Sequence, residues 1–190
     1  DSDRLAAALA LCSDAVIKDG EAVGDPTQCA VVNYAQSIGL EKEALEAEYP
    51  RLAEIPFDSE RKMMTTVHSA PHGNIQYTTG APDVIIARCG SCIRGGRVVP
   101  MSERMKQEAL EENRRLAGMA LRVIAAACRE YREPVRQGAA LSPKIENGMI
   151  YLGLVGMEDP IRDEVPDALQ KCRSAGILTV MITGDHLDTA

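Results

Sequence analysis

The chain has 190 residues, a formal net charge of −7, six cysteines, one phenylalanine and no tryptophan. That length suits one large domain or two small ones. The acidic balance and the lack of a Lys/Arg run argue against a nucleic-acid surface, so a polyanionic ligand would have to meet a local cationic spot. No apolar run approaches the roughly 20 residues of a bilayer span, and Met149–Met157 is broken by Gly153 and Gly156. The chain is therefore expected not to insert in a membrane by itself.

In chain order, Leu5, Leu9, Cys12 and Val16 recur at helical spacing, with Ser2 or Asp3 as the cap. A second helix opens at Asp25, with Pro26 in its first turn and Gln28 completing a capping box. Ala30, Val31, Tyr34 and Ile38 form its expected apolar face, and Gly39 ends it. A third helix, Glu41–Glu48, stops before Pro50. Met63–His68 and Asn74–Thr79 read as a hairpin around Pro71-His72-Gly73. Because His68 and His72 flank this Pro-Gly turn, they are not read as a helical metal face. Gly80-Ala81-Pro82 opens a helix over Val84–Cys89, Arg94–Arg97 is a tight turn, and Glu103–Gly118 is a long charged helix. Leu121–Cys128 reads as a buried strand interrupted by Arg122, and Pro134–Asn147 as a loop.

From Met149 the pattern changes. Met149–Val155 reads as an apolar strand, Val165, Ala168, Leu169 and Cys172 as a helix face, and Ile177–Ile182 as a second strand. This predicts a parallel βαβ unit. Thr183-Gly184-Asp185 would then lie at a strand's carboxyl end, where α/β sheets gather ligands. A sheet left half-built at Ala190 is expected of a piece of a larger protein. The scattered cysteines and the absence of a signal peptide point to a reducing compartment. Cys89-Gly90-Ser91-Cys92 lacks a second pair or a nearby His, so no metal site is predicted.

The stretch Ile55–Met64 carries the only Phe. Phe57 follows a Pro, with Arg61 and Lys62 close behind. A ring beside two cations can stack on a nucleobase while the cations face phosphate. The plainer reading, favoured on this stretch alone, is a strand opener whose Phe enters the core.

Taken together, Gly24–Gln28, Ile55–Met64, Thr79–Asp83, Leu121–Val123, Gly153–Arg162 and Met181–Ala190 resemble, in order, segments of P-type cation-transporting ATPases. The likeness is to their nucleotide-binding domain and the adjoining phosphorylation domain, in the calcium-pump branch and a bacterial version. It implies an α+β fold: an antiparallel sheet flanked by helices over 1–148, then a partial Rossmann-like βαβ segment of the phosphorylation domain over 149–190. It implies ATP and Mg2+ as cofactors, with the magnesium site mainly outside this chain. The partners would be the remaining phosphorylation, actuator and transmembrane domains of the same pump, and the location a cytoplasmic domain of an integral membrane protein.

The resemblance also implies roles. Phe57 matches the ring that stacks on adenine, Lys62 a lysine lining its pocket, and Met64 part of the floor. Arg122 matches an arginine that reaches the phosphates, although a salt bridge to an acidic neighbour would also account for a guanidinium there. Gln28 falls where many members carry a glutamate that contacts the adenine amino group. Thr79 and Gly80 mark the pocket mouth, where the family usually has Lys-Gly-Ala. Thr79 removes that positive charge, although backbone N–H groups around Gly80, at the start of the next helix, could still favour an anion. Asp159, Thr183, Gly184 and Asp185 match elements near the hinge and the phosphoryl-transfer site. Ile161 stands where a second Pro is common.

The sequence contains neither Asp-Lys-Thr-Gly-Thr nor Gly-Asp-Gly-x-Asn-Asp. The expectation is therefore a module that binds ATP and presents it to an aspartate outside the chain, but is inactive in transport alone. The alternatives are a non-catalytic nucleotide-binding or regulatory domain and a fragment of a haloacid-dehalogenase-like phosphatase. The latter would need an Asp-x-Asp nucleophile at the end of an apolar strand, which the sequence lacks.

Overall fold

The computed structural model describes residues 2–131, 134–158 and 164–182. Helix α1 (Ser2–Leu11) leads into a hairpin of β1 (Val16–Lys18) and β2 (Glu21–Val23), then α2 (Pro26–Ser37) and α3 (Lys42–Glu48). Strands β3 (Arg51–Asp58), β4 (Met63–Ala70) and β5 (Gly73–Gly80) run into α4 (Pro82–Arg88). Next come β6 (Cys89–Arg94), β7 (Arg97–Pro100), α5 (Glu103–Ala117) and β8 (Arg122–Tyr131). A short 3-10 helix (Pro143–Glu146), β9 (Met149–Met157) and α6 (Glu164–Ser174) complete the described elements.

Seven strands form one sheet in the order β3-β4-β5-β8-β9-β6-β7. Neighbours are antiparallel except β6 and β9, which run parallel. The continuous apolar run in β8 exists because both faces of this central strand are covered. Ala126 and Cys128 join Leu9 and Leu11 of α1, Val31 of α2, Met64 and Tyr77 in one core. Ala125 and Ala127, one residue out of phase, join Ile85 and Ile86 of α4, Met63 and Met149 in the other, with Met105 and Ala109 of α5 packed alongside. Alanines at three successive positions let helices approach closely from both sides.

Several sequence expectations are corrected. Helix α1 ends at Leu11, so Val16 lies in β1, half exposed, rather than on the helix face. Helix α2 buries Val31, Val32 and Ala35, while Tyr34 and the C-cap residue Ile38 stay partly exposed. The rotation follows from packing: Ala35 meets Ala6 and Ala10 of α1, where a tyrosine would not fit. Strands β1, β2, β6 and β7 were not anticipated as strands, and β3 ends near Phe57 instead of opening there.

The expected separation at Met149 is not what β9 does. This strand is an interior member of the same sheet, paired with β8 on one side and β6 on the other. Helix α6 forms as expected but buries none of its residues. Ile177–Ile182 is not a strand, and Leu178 and Ile182 are 87% and 94% exposed. An apolar segment becomes a strand only beside an available edge, and neither edge of this sheet, β3 or β7, pairs with it. No helix among the described residues is long and apolar enough to cross a membrane. Cys89 and Cys92 are both buried on β6.

His68 is fully buried on β4. Its Nδ1 lies 2.8 Å from the Tyr49 carbonyl oxygen and its Nε2 lies 2.9 Å from Thr66 Oγ1. A carbonyl only accepts, so the neutral ring carries its hydrogen on Nδ1, and Nε2 accepts from the threonine hydroxyl. Burial lowers the His68 pKa to about 4. Below the ordinary value of about 6.5 the unfolded chain takes up a proton that the folded chain refuses until about pH 4. Stability should therefore fall as pH drops through that window, by on the order of 3 kcal/mol. Urea midpoints at pH 7 and 4.5 should show a clearly smaller acid loss in His68→Gln than in the wild type. Equal losses would contradict this origin.

Candidate functional site

The site begins at the edge strand β3. Pro56 has no N–H to give to a ladder, and it is placed where one is not needed. Between Ile55 and Asp58 the register with β4 slips: Ile55 pairs with Thr65 but Asp58 with Met63. Such a bulge re-aims side chains. Phe57 consequently points outward, 61% exposed, instead of entering the core. The plainer reading of this stretch is thereby corrected.

The turn that follows is tightly held. Asp58 Oδ1 accepts from the backbone N–H groups of Glu60 (3.0 Å) and Arg61 (2.8 Å), and the Lys62 N–H donates to the Asp58 carbonyl at 2.7 Å. Lys62 sits in the left-handed region, φ 55°. Its carbonyl accepts the Ala81 N–H at 2.9 Å, which ties the turn to the β5–α4 junction. That N–H is thus already occupied, which removes one of the donors expected to attract an anion near Gly80. Gly80 is pressed against the same turn. A methyl group there would clash with the Lys62 carbonyl oxygen and lie 2.6 and 2.7 Å from Met63 Cβ and Cα.

The facing wall comes from the N-terminus of α2. Asp25 caps it, accepting from the N–H groups of Thr27 (2.9 Å) and Gln28 (3.3 Å). The expected capping box does not form. The Gln28 side-chain oxygen instead accepts the Asp14 N–H at 2.8 Å, across to the loop after α1. That loop is fixed from beneath. The buried Lys42 ammonium donates to the carbonyls of Ser13 (2.8 Å) and Ala15 (2.7 Å), and Arg51 donates to those of Leu11 (2.9 Å) and Ser13 (2.7 Å) and pairs with Asp14. Burial lowers the Lys42 pKa.

Arg122 is the first residue of β8 rather than an interruption within it, and Nη1 donates to Thr27 Oγ1 at 3.0 Å. Between these walls lies a cavity of about 710 Å³, within the range of small-molecule sites. Leu9, Cys12, Val31 and Met64 supply apolar lining. Thr79 Oγ1 donates to Cys12 Sγ at 3.5 Å, and burial pushes the Cys12 thiol pKa up, so it stays neutral.

All seven of Gln28, Phe57, Lys62, Met64, Thr79, Gly80 and Arg122 line this one cavity. Asp159, Thr183, Gly184 and Asp185 lie outside the described residues. Thr27, Cys12, Asp83 and Asn113 also line it and were not anticipated. Thr27 was findable, because it stands inside the Gly24–Gln28 segment. Asn113 belongs to a charged helix and carries no local signal.

The chain belongs to the P-type ATPases: residues 1–164 match the family described as P-type ATPase, cytoplasmic domain N. It is 43% identical over 187 residues to a calcium-transporting ATPase of Bacillus subtilis, covering 95% of this chain and 21% of that protein. It is 39% identical over 182 residues to calcium-transporting ATPase 1 of Bacillus cereus, covering 96% and 20%. It is 35% identical over 199 residues to a sodium/potassium-transporting ATPase alpha-2 subunit of Gallus gallus, covering 95% and 19%. The chain thus spans about a fifth of the length of these relatives.

The close approach at Gly80 gives a test. Gly80→Ala should destabilise the chain by about 1–3 kcal/mol, since backbone cannot yield as a side chain can. Equilibrium denaturation checks this, and an unchanged midpoint would contradict the packing described.

Proposed function

We propose that the chain is the ATP-binding module of a P-type cation-transporting ATPase. In the intact protein it would present ATP to a phosphorylatable aspartate outside this chain, driving ion transport. Calcium is the cation this reading favours, because the bacterial relatives named above are calcium-transporting enzymes. The observation that carries it is the convergence on one cavity of an outward-facing ring, two cations and an apolar floor from distant parts of the chain.

Each residue has a task in this reading. Phe57 stacks on the adenine, Met64 lies beneath it, and Lys62 and Arg122 offer charge from opposite walls. Gln28, with its oxygen held by Asp14, keeps its amide N–H groups for the ligand. The neutral Cys12 thiol leaves the floor without an anion that would repel phosphate. By the resemblance alone, Asp159, Thr183, Gly184 and Asp185 belong to the hinge and phosphoryl-transfer elements of the pump. Magnesium supplies charge neutralisation during phosphoryl transfer. Such an ion is usually held by one or two carboxylates together with the substrate phosphates and water. In this reading its protein ligands lie mainly outside this chain, as do the actuator and membrane helices. The site would then work on the cytoplasmic side of a membrane-embedded pump.

Titration with ATP tests the reading. The wild-type chain should bind saturably, and Phe57→Ala should weaken binding by about 1–3 kcal/mol, the worth of one base–aromatic stack. Thr79→Lys should tighten it, since an added cation at the mouth is worth up to a few kcal/mol at an effective dielectric near 20, before desolvation. No binding by the wild type at about 10 mM ATP, where affinity is worth under about 3 kcal/mol, would favour a non-catalytic regulatory domain instead. Thr79, in place of the family's usual lysine, is the residue that makes this second reading worth testing.

A further inference from the structure

The face of β4 and β5 that carries Thr65, Gln76 and Thr78 meets the short 3-10 helix through Glu146. Glu146, its last residue, is 0% exposed. Its Oε1 accepts from Thr65 Oγ1 at 2.8 Å and from Arg61 Nη1 at 2.5 Å. Behind it, Thr65 Oγ1 lies 2.9 Å from Thr78 Oγ1, which also accepts from Gln76 Nε2 at 2.9 Å.

The hydrogens in this chain can be assigned. The Gln76 amide nitrogen only donates, and a carboxylate only accepts. Thr65 therefore donates to Glu146, and Thr78 donates to Thr65. The network runs in one direction and ends on the buried carboxylate.

Arg61 carries it outward. While Nη1 holds Glu146, Nη2 donates to the Pro56 carbonyl at 2.6 Å, on the residue just before Phe57. One guanidinium thus ties a fully buried anion to the bulge that aims the ring. Arg61 also lies next to Lys62, whose backbone adopts the left-handed conformation.

We propose that Glu146 is a positioning residue for nucleotide binding. Through Arg61 it fixes the Phe57–Lys62 turn, and with it the direction of the ring and the ammonium. The inference rests on the reading of the cavity as an ATP site. A buried ion pair is poor at stabilising a fold, where apolar packing does as well. This one is also imperfect, because Glu146 Oε2 and Gln76 Oε1 are buried with no hydrogen-bond partner among the described residues. What a carboxylate offers here is an anchor for the rigid, two-pronged guanidinium.

The test uses the whole chain and four proteins: wild type, Glu146→Gln, Arg61→Lys and Thr65→Val. Each is measured for ATP Kd, melting midpoint and the amide resonances of residues 57–62 without nucleotide. Glu146→Gln keeps size and an acceptor but loses the charge. Arg61→Lys keeps the charge but cannot bridge both partners. Both should weaken ATP by about tenfold and displace the Phe57 and Lys62 resonances before nucleotide is added. Thr65→Val, which removes only the inner hydroxyl, should lower the midpoint yet leave Kd within about twofold. If affinity falls only in step with the midpoint across all three, or Glu146→Gln binds like the wild type with unmoved resonances, the proposal is overturned. Should Glu146→Gln not fold, Arg61→Lys decides by the same criteria. A wild type that does not bind ATP overturns the site reading and this inference together, and that result is visible before any variant is compared.

Discussion

The contact between Gly80 and the Lys62–Met63 backbone is the constraint on which the site depends. With no side chain at Gly80, the end of β5 can lie directly against the β3–β4 turn, and the Ala81 N–H can reach the Lys62 carbonyl at 2.9 Å. That approach sets Lys62 beside Ala81 at the start of α4 and Met64 opposite Thr79. It also anchors the bulge that turns Phe57 outward. Any other residue at position 80 would force the turn away, and one wall of the cavity would open.

The opposite wall is held by a different device. Lys42 and Arg51 direct their charges at backbone carbonyls of the loop after α1, which in turn holds the Gln28 oxygen. Buried cations that satisfy carbonyl groups make a loop rigid without a hydrophobic core of its own. The cavity therefore lies between two stiff walls built from segments distant in sequence, such as Thr27 and Arg122, which are 95 residues apart and hydrogen-bonded. Its lining combines the Phe57 ring, the cations of Lys62 and Arg122 and the carboxylates of Asp25 and Asp83. Lys62 and Arg122 stand on opposite walls, and the Cys12 thiol at the base is neutral.

Much of this was legible in the sequence where the signal is local. Asp25-Pro26 fixed the start of α2, Gly39 its end, and Pro71-His72-Gly73 the hairpin, because caps and turns are set by a few adjacent residues. The seven cavity residues were identified through a resemblance that spans the chain, not through periodicity. What failed was non-local. Strands of three residues, such as β1 and β2, are too short to show a period. The apolar run of β9 looks like any buried strand, and only its partners β8 and β6 decide which sheet it joins. Gln28 has a competing tertiary partner in Asp14 that no capping rule contains. The outward turn of Phe57 depends on a register slip between two strands, and the anchoring of Arg61 depends on a glutamate 85 residues away.

The most direct test of the central claim is a nuclear Overhauser measurement on the ATP-saturated chain, from the adenine H2 and H8 protons to side-chain protons. The account expects strong effects to the Phe57 ring and the Met64 methyl group, with none to residues outside the cavity. Bound ATP whose adenine protons contact neither would contradict it, because the ring, the turn that aims it and the wall behind it would then serve no common ligand.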